Sequence, residues 1–131
     1  MNLLLDTYAL IDSVDGPERL PKPVAKLLAD TAQYPLGVSA ISAWEVAWLA
    51  ASGRMRLSQS SGEWLRMALR PPFIRMLPLT AEVACEAAAL PAELGDPADR
   101  IIAATARVHG LTLLTGNPKL LAYPHLRVMW E

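Results

Sequence analysis

Brief apolar runs, too short to be helices, alternate along this chain with segments that open and close in helix-capping chemistry. The runs are LLL at 3–5, YPLGV at 34–38, IRMLPL at 74–79, LTLLT at 111–115 and LRVMW at 126–130. A strand with one wet face alternates apolar and polar side chains; these runs are nearly continuous in apolar character. Strands of that kind are covered on both faces, and strands alternating with helices build a parallel sheet. The pattern predicts an α/β fold with about five strands in a mainly parallel sheet, flanked by helices on both faces. One domain spans 1–131 in this reading.

The intervening segments carry their own punctuation. Residues 7–14 read as helical, and DGPERLPKP is a proline-rich connection to a further helical stretch, VAKLLAD. Ser42 and Glu45 match the S-x-x-E capping box, which places a helix over 43–51 with Gly53 able to close it. EWLRMALR reads as a short helix broken by Pro71 and Pro72, and Pro78 weakens the middle of the strand at 74–79. Thr80 can cap AEVACEAAAL. Asp96 caps a helix running to His109, with Pro97 at its first position and Gly110 at its C-terminal end.

Composition removes several function classes. A net charge of −1 argues against a protein that coats nucleic acid electrostatically, though one local basic rim stays compatible with it. No apolar run reaches the ~18 residues that span a bilayer, so no membrane association is expected. The opening MNLLLD has no basic n-region for a signal peptide. One cysteine, Cys85, excludes an internal disulfide and fits a reducing cytoplasm; among alanines it reads as a small buried hydrophobe. A hydrophobic content of 53% suggests that another chain covers some surface.

Acids recur where apolar runs end or helices begin. In an open α/β sheet those places converge on the crevice at the carboxyl ends of the strands. Asp6 follows LLL directly, where an unpaired carboxylate is costly; it either caps the next helix or ligates a cation. Glu45 either folds back in the capping box or points over the sheet edge toward Asp6. Asp96 either caps the next helix or serves as an outer or alternative ligand, and Asp99, three residues later, lies in the first turn where the helix dipole favours an acid. Asn117 either turns the chain before Pro118 or offers its amide oxygen to the site. Carboxylates gathered without matching cations repel one another unless a metal ion sits among them. No Gly-rich phosphate loop, GxSxG elbow or paired histidines compete, since His109 and His125 stand apart.

Taken in order, LLLDTYALI, SAISAWEVA, DPADRIIAATA and LTGNPKLL resemble the PIN-domain nucleases, and among them the VapC-type toxins of toxin–antitoxin pairs. The resemblance spans nearly the whole chain. It implies an Mg²⁺- or Mn²⁺-dependent endoribonuclease that hydrolyses RNA and leaves a 5′-phosphate, with a cognate antitoxin as partner and a homodimer as its state. The acidic ligands carry over to Asp6, Glu45 and Asp99, with Asp96 close by. The fourth acid of the pattern falls at Asn117, a departure that leaves open a catalytically weak or silent binding module. Thr7 and Thr115 match hydroxyl positions beside the acids. Arg54, Arg56, Arg100, Arg107 and Lys119 are candidates for a phosphate-holding rim. Trp44 and Trp48, four apart on one helix face, either pack in the core or line a groove for a partner helix.

Overall fold

The computed structural model describes residues 2–131; Met1 lies outside them. Five parallel strands form one sheet: β1 (Leu3–Leu5), β2 (Leu36–Ser39), β3 (Ile74–Leu77), β4 (Thr112–Leu114) and β5 (Val128–Met129), in the order β3-β2-β1-β4-β5. Seven α-helices accompany them among the described residues: α1 (Thr7–Asp15), α2 (Lys22–Ala29), α3 (Ala40–Ala51), α4 (Ser61–Ala68), α5 (Ala81–Ala89), α6 (Pro97–His109) and α7 (Pro118–Leu121). The α/β expectation, with helices on both faces of a parallel sheet, is what forms.

β1 is central and buried along its length because its three leucines serve two cores. Leu4 joins Leu113 of β4 in a cluster with α5 and α6, including Val83, Ala87, Ile102 and Ala103. Leu3 and Leu5 face the other way, into a cluster with Leu10, Val24, Val46 and Trp64 from α1 to α4. The pleat sends successive side chains to opposite faces, so a continuously apolar strand is favoured where both faces are dry. Alanines at 87, 103, 104 and 106 let α5 and α6 lie close together over the sheet.

The chain moves outward from β1 to β2 and β3 on one side, then crosses to β4 and β5 on the other. β1 and β4 therefore flank the point where the winding reverses, and the crevice beyond their carboxyl ends is where such sheets place ligands.

Several boundaries depart from the sequence reading. β2 starts at Leu36 rather than 34, because Pro35 has no amide for the ladder and the Leu36 amide is the first to bond β3's side, to Phe73 O at 2.8 Å. α3 starts at Ala40, three residues early: Ser39, not Ser42, caps it, accepting from the Ile41 amide at 3.2 Å. The capping box is therefore not formed. Pro78 ends β3 rather than interrupting it. α7, a single turn capped by Asn117, is too short to leave a periodic signal. Cys85 is exposed on α5, not buried.

Candidate active site

Three helix starts and two strand ends bring the acids together. Asp6 ends β1 and caps α1: its Oδ1 accepts from the Ala9 amide at 2.8 Å. Asp96 caps α6 by accepting from the Asp99 amide at 3.0 Å, which fixes Asp99 in the first turn of that helix. Asn117, after β4, caps α7 by accepting from the Lys119 amide at 3.0 Å. Glu45 arrives differently, from the second turn of α3. Asp6, Glu45, Asp96, Asp99 and Asn117 all line one open cleft of about 390 Å³, together with Tyr8, Gly116 and Trp130.

Each acid is held by a neighbour. The buried Thr7 hydroxyl contacts both the Glu45 carboxylate and the Ser42 hydroxyl, the latter at 3.0 Å. With one hydrogen to give, Thr7 donates to the carboxylate and accepts from Ser42. Ser42 thus has a tertiary role in place of its expected cap. The Asn117 side-chain amide donates to Asp99 Oδ2 at 3.2 Å. Thr115, fully buried, accepts from the Asn117 amide at 3.1 Å. Gly95, at φ 115°, carries the chain past Asp99, where a Cβ would stand 3.2 Å from Oδ2.

The acids disturb one another electrostatically. Burial raises the Asp99 carboxyl, and the charges of Asp96, Glu45 and Asp6 raise it further, to about 7; Lys119 acts in the opposite sense. Burial also raises Glu45, with Asp96 adding to the effect and the Thr7 hydroxyl opposing it. Asp6 is raised mainly by burial, against the Thr115 hydroxyl and the Ala9 amide. Burial and then the neighbouring carboxylates raise Tyr8 as well. Like charges in a shielded pocket hold protons at a pH where free carboxyls are ionised.

The donor set suits a hard divalent cation: carboxylate and amide oxygens, without sulfur or imidazole. Among the described residues no three His, Cys, Asp or Glu side chains already converge as a cage. The acids line the cleft without forming a ready-made cage, so an ion there would draw them together or take most of its shell from water.

The expected basic rim is mostly elsewhere. Arg100 is committed to main-chain carbonyls at the end of α5, donating to Leu90 O at 2.6 Å and Pro91 O at 2.7 Å. Arg107, near the far end of α6, pairs with Glu86 at 2.5 Å and with the His125 carbonyl. Arg54 lies over Trp48, 4.5 Å from its ring centre, and neither it nor the exposed Arg56 lines the cleft. Lys119 alone acts electrostatically on an acid of the site. Trp44 and Trp48 are not core residues: they are 55% and 39% exposed and stack on each other, centres 6.0 Å apart. Tyr8, Gly116 and Trp130 were not singled out from the sequence. Strand order alone brings Trp130 beside β4, and no local pattern announces it.

Comparison with known proteins agrees with the geometry. The PIN domain family matches residues 3–126. The ribonuclease VapC22 of Mycobacterium tuberculosis is 36% identical over 126 residues, covering 95% of this chain and 94% of that protein. A toxin–antitoxin complex from Klebsiella pneumoniae contains a chain 26% identical, with a TM-score of 0.68 and coverage of 98% of this chain and 96% of that one. VapBC2 from Rickettsia felis, solved with a fragment of promoter DNA, shares the fold over the full length of both chains at a TM-score of 0.74 and 19% identity. On the family match and the 36% relative together, the chain belongs to the PIN-domain family, among its VapC-type members.

Proposed function

We propose that this protein is a divalent-metal-dependent endoribonuclease, the toxin of a toxin–antitoxin pair, and that Asp6, Glu45 and Asp99 hold the ion. The observation that carries this is the gathering of four carboxylates in one cleft at the winding reversal, three of them raised by burial and mutual repulsion. The ribonuclease name and the toxin–antitoxin complexes among the relatives support it. Mg²⁺ or Mn²⁺ is the ion this oxygen set suits. When bound, it supplies Lewis-acid polarisation of the scissile phosphate and lowers the pKa of an attacking water.

The chain's own groups do the rest. Thr7, itself bonded to Ser42, holds Glu45, Asn117 holds Asp99, and the Ala9 amide holds Asp6, so each side chain is restrained at the cleft. Asp96 is mainly the cap that positions Asp99. Asn117 stands where the family pattern has an acid; it steadies Asp99 without adding charge. Lys119, whose charge reaches Asp99, is the cation we assign to a substrate phosphate. The exposed Trp44–Trp48 pair is the surface we assign to the antitoxin, and homodimer formation belongs to the same proposal.

The test is cleavage of single-stranded RNA by the purified protein with Mg²⁺ or Mn²⁺, and with EDTA. Cleavage is expected only with metal, and Asp6→Asn is expected to lower it at least ~100-fold. Equal cleavage in EDTA would overturn the metal dependence, and a well-folded protein that cuts no RNA would point to the silent binding module instead.

A further inference from the structure

Two aromatic side chains share the acid-lined cleft, and metal binding explains neither. We propose that Tyr8 and Trp130 are stacking surfaces for unpaired nucleobases of the RNA on either side of the cleaved linkage. This rests on the ribonuclease reading and deepens it.

The sheet order places them. Tyr8 lies two residues past Asp6, beyond the end of β1; Trp130 follows Met129, the last residue of β5. β4 runs between those strands, and Gly116 lies just beyond its end. A Cβ at Gly116 would stand 2.9 Å from Cε2 and Nε1 of Trp130, so the indole lies against bare backbone, a position open only to glycine. Trp130 packs partly on the core cluster that includes Leu5 and Leu114, and its remaining surface lines the acid cleft and, with Leu121 and Val128, a second cavity beside it. Tyr8 is 51% exposed. One anchored ring and one open ring thus border the acids.

The charge of the site makes such surfaces necessary. Carboxylates repel a phosphate backbone, Arg100 and Arg107 are engaged elsewhere, and the chain as a whole is at −1. Electrostatic attraction supplies little grip on RNA beyond the ion and Lys119. Aromatic faces hold unpaired bases without charge and with little regard to sequence.

The test is steady-state cleavage, with saturating Mg²⁺, of a single-stranded RNA that the wild type cuts. Tyr8→Ala and Trp130→Ala are each expected to raise KM roughly five- to a hundredfold while kcat stays within about threefold. Tyr8→Phe and Trp130→Phe, which keep a ring, are expected to stay close to wild type. Gly116→Ala, which keeps the indole but displaces it, should behave as Trp130→Ala does. A second arm removes single bases around the scissile linkage. At one position the abasic substrate should raise the wild-type KM yet leave that of Trp130→Ala unchanged. Alanine variants with wild-type melting and wild-type KM would overturn the proposal, as would an equal abasic penalty in both proteins at every position. In either case the wild type still cleaves, so the ribonuclease reading stands. A wild type that cleaves no RNA overturns both.

Discussion

Asp99 shows how one carboxyl can link folding, ion binding and pH. In the unfolded chain it titrates near 3.8, and in the fold near 7. Between those values the folded protein keeps a proton that the unfolded chain has lost. The stability from burying the neutral acid is therefore complete below about 3.8 and is lost as pH rises through about 7. Asp6 and Glu45 shift in the same direction. Asp99 is only half-buried, so solvent screening reduces its share to on the order of 1 kcal/mol, about 3 °C in melting temperature. Metal-free wild type should melt lower at about pH 8 than at about pH 5, and Asp99→Asn should flatten that difference. Mn²⁺ should restore the wild type's loss at the higher pH, because ion binding and protonation compete for the same oxygens. Thermal unfolding by circular dichroism, with and without Mn²⁺, measures all three. A wild-type profile as flat as that of Asp99→Asn would show that the acids do not repel one another as described.

At the scale of the elements, the acids sit where helix chemistry would place them anyway, and a substitution can separate the two roles. Asp96 caps α6, whereas Asp99 is assigned to the ion. Asp96→Ser retains a capping oxygen and removes a charge, so it should unfold about 1 kcal/mol less readily than Asp96→Ala. It should also keep cleavage within about tenfold of wild type if capping is its main role. A loss as large as that of Asp6→Asn would make Asp96 a ligand. Both ends of α6 were legible in the sequence, because the Asp96 cap with Pro97 at one end and Gly110 at the other are local signals. α3 was not, since Ser39 and Ser42 both suit a cap and only the distant Thr7 decides between them. The arginines illustrate the same limit: nothing near Arg100 in sequence shows that it reaches carbonyls at 88, 90 and 91.

At the scale of the whole molecule, strand order makes the site. LLL at 3–5 and LTLLT at 111–115 could be read as buried strands, and the acids behind them as residents of one crevice. That β1 and β4 are neighbours, with β5 beyond, follows from the winding and has no signature in the apolar pattern. Glu45 stood out through a capping box that does not form, whereas Asp6 and Asp96 were legible because each caps a local helix. Trp130 and Gly116 were not, because their meeting depends on the adjacency of two strands. If these acids hold the ion on which RNA cleavage depends, the rate must follow the ion's concentration. The most direct measurement is the initial rate of single-stranded RNA cleavage against Mn²⁺ concentration, for wild type and Asp99→Asn at about pH 8. A saturable rise from no activity is expected in the wild type, and in Asp99→Asn a rate at least ~100-fold lower. A rate independent of Mn²⁺, or the same saturation curve in both proteins, would contradict it.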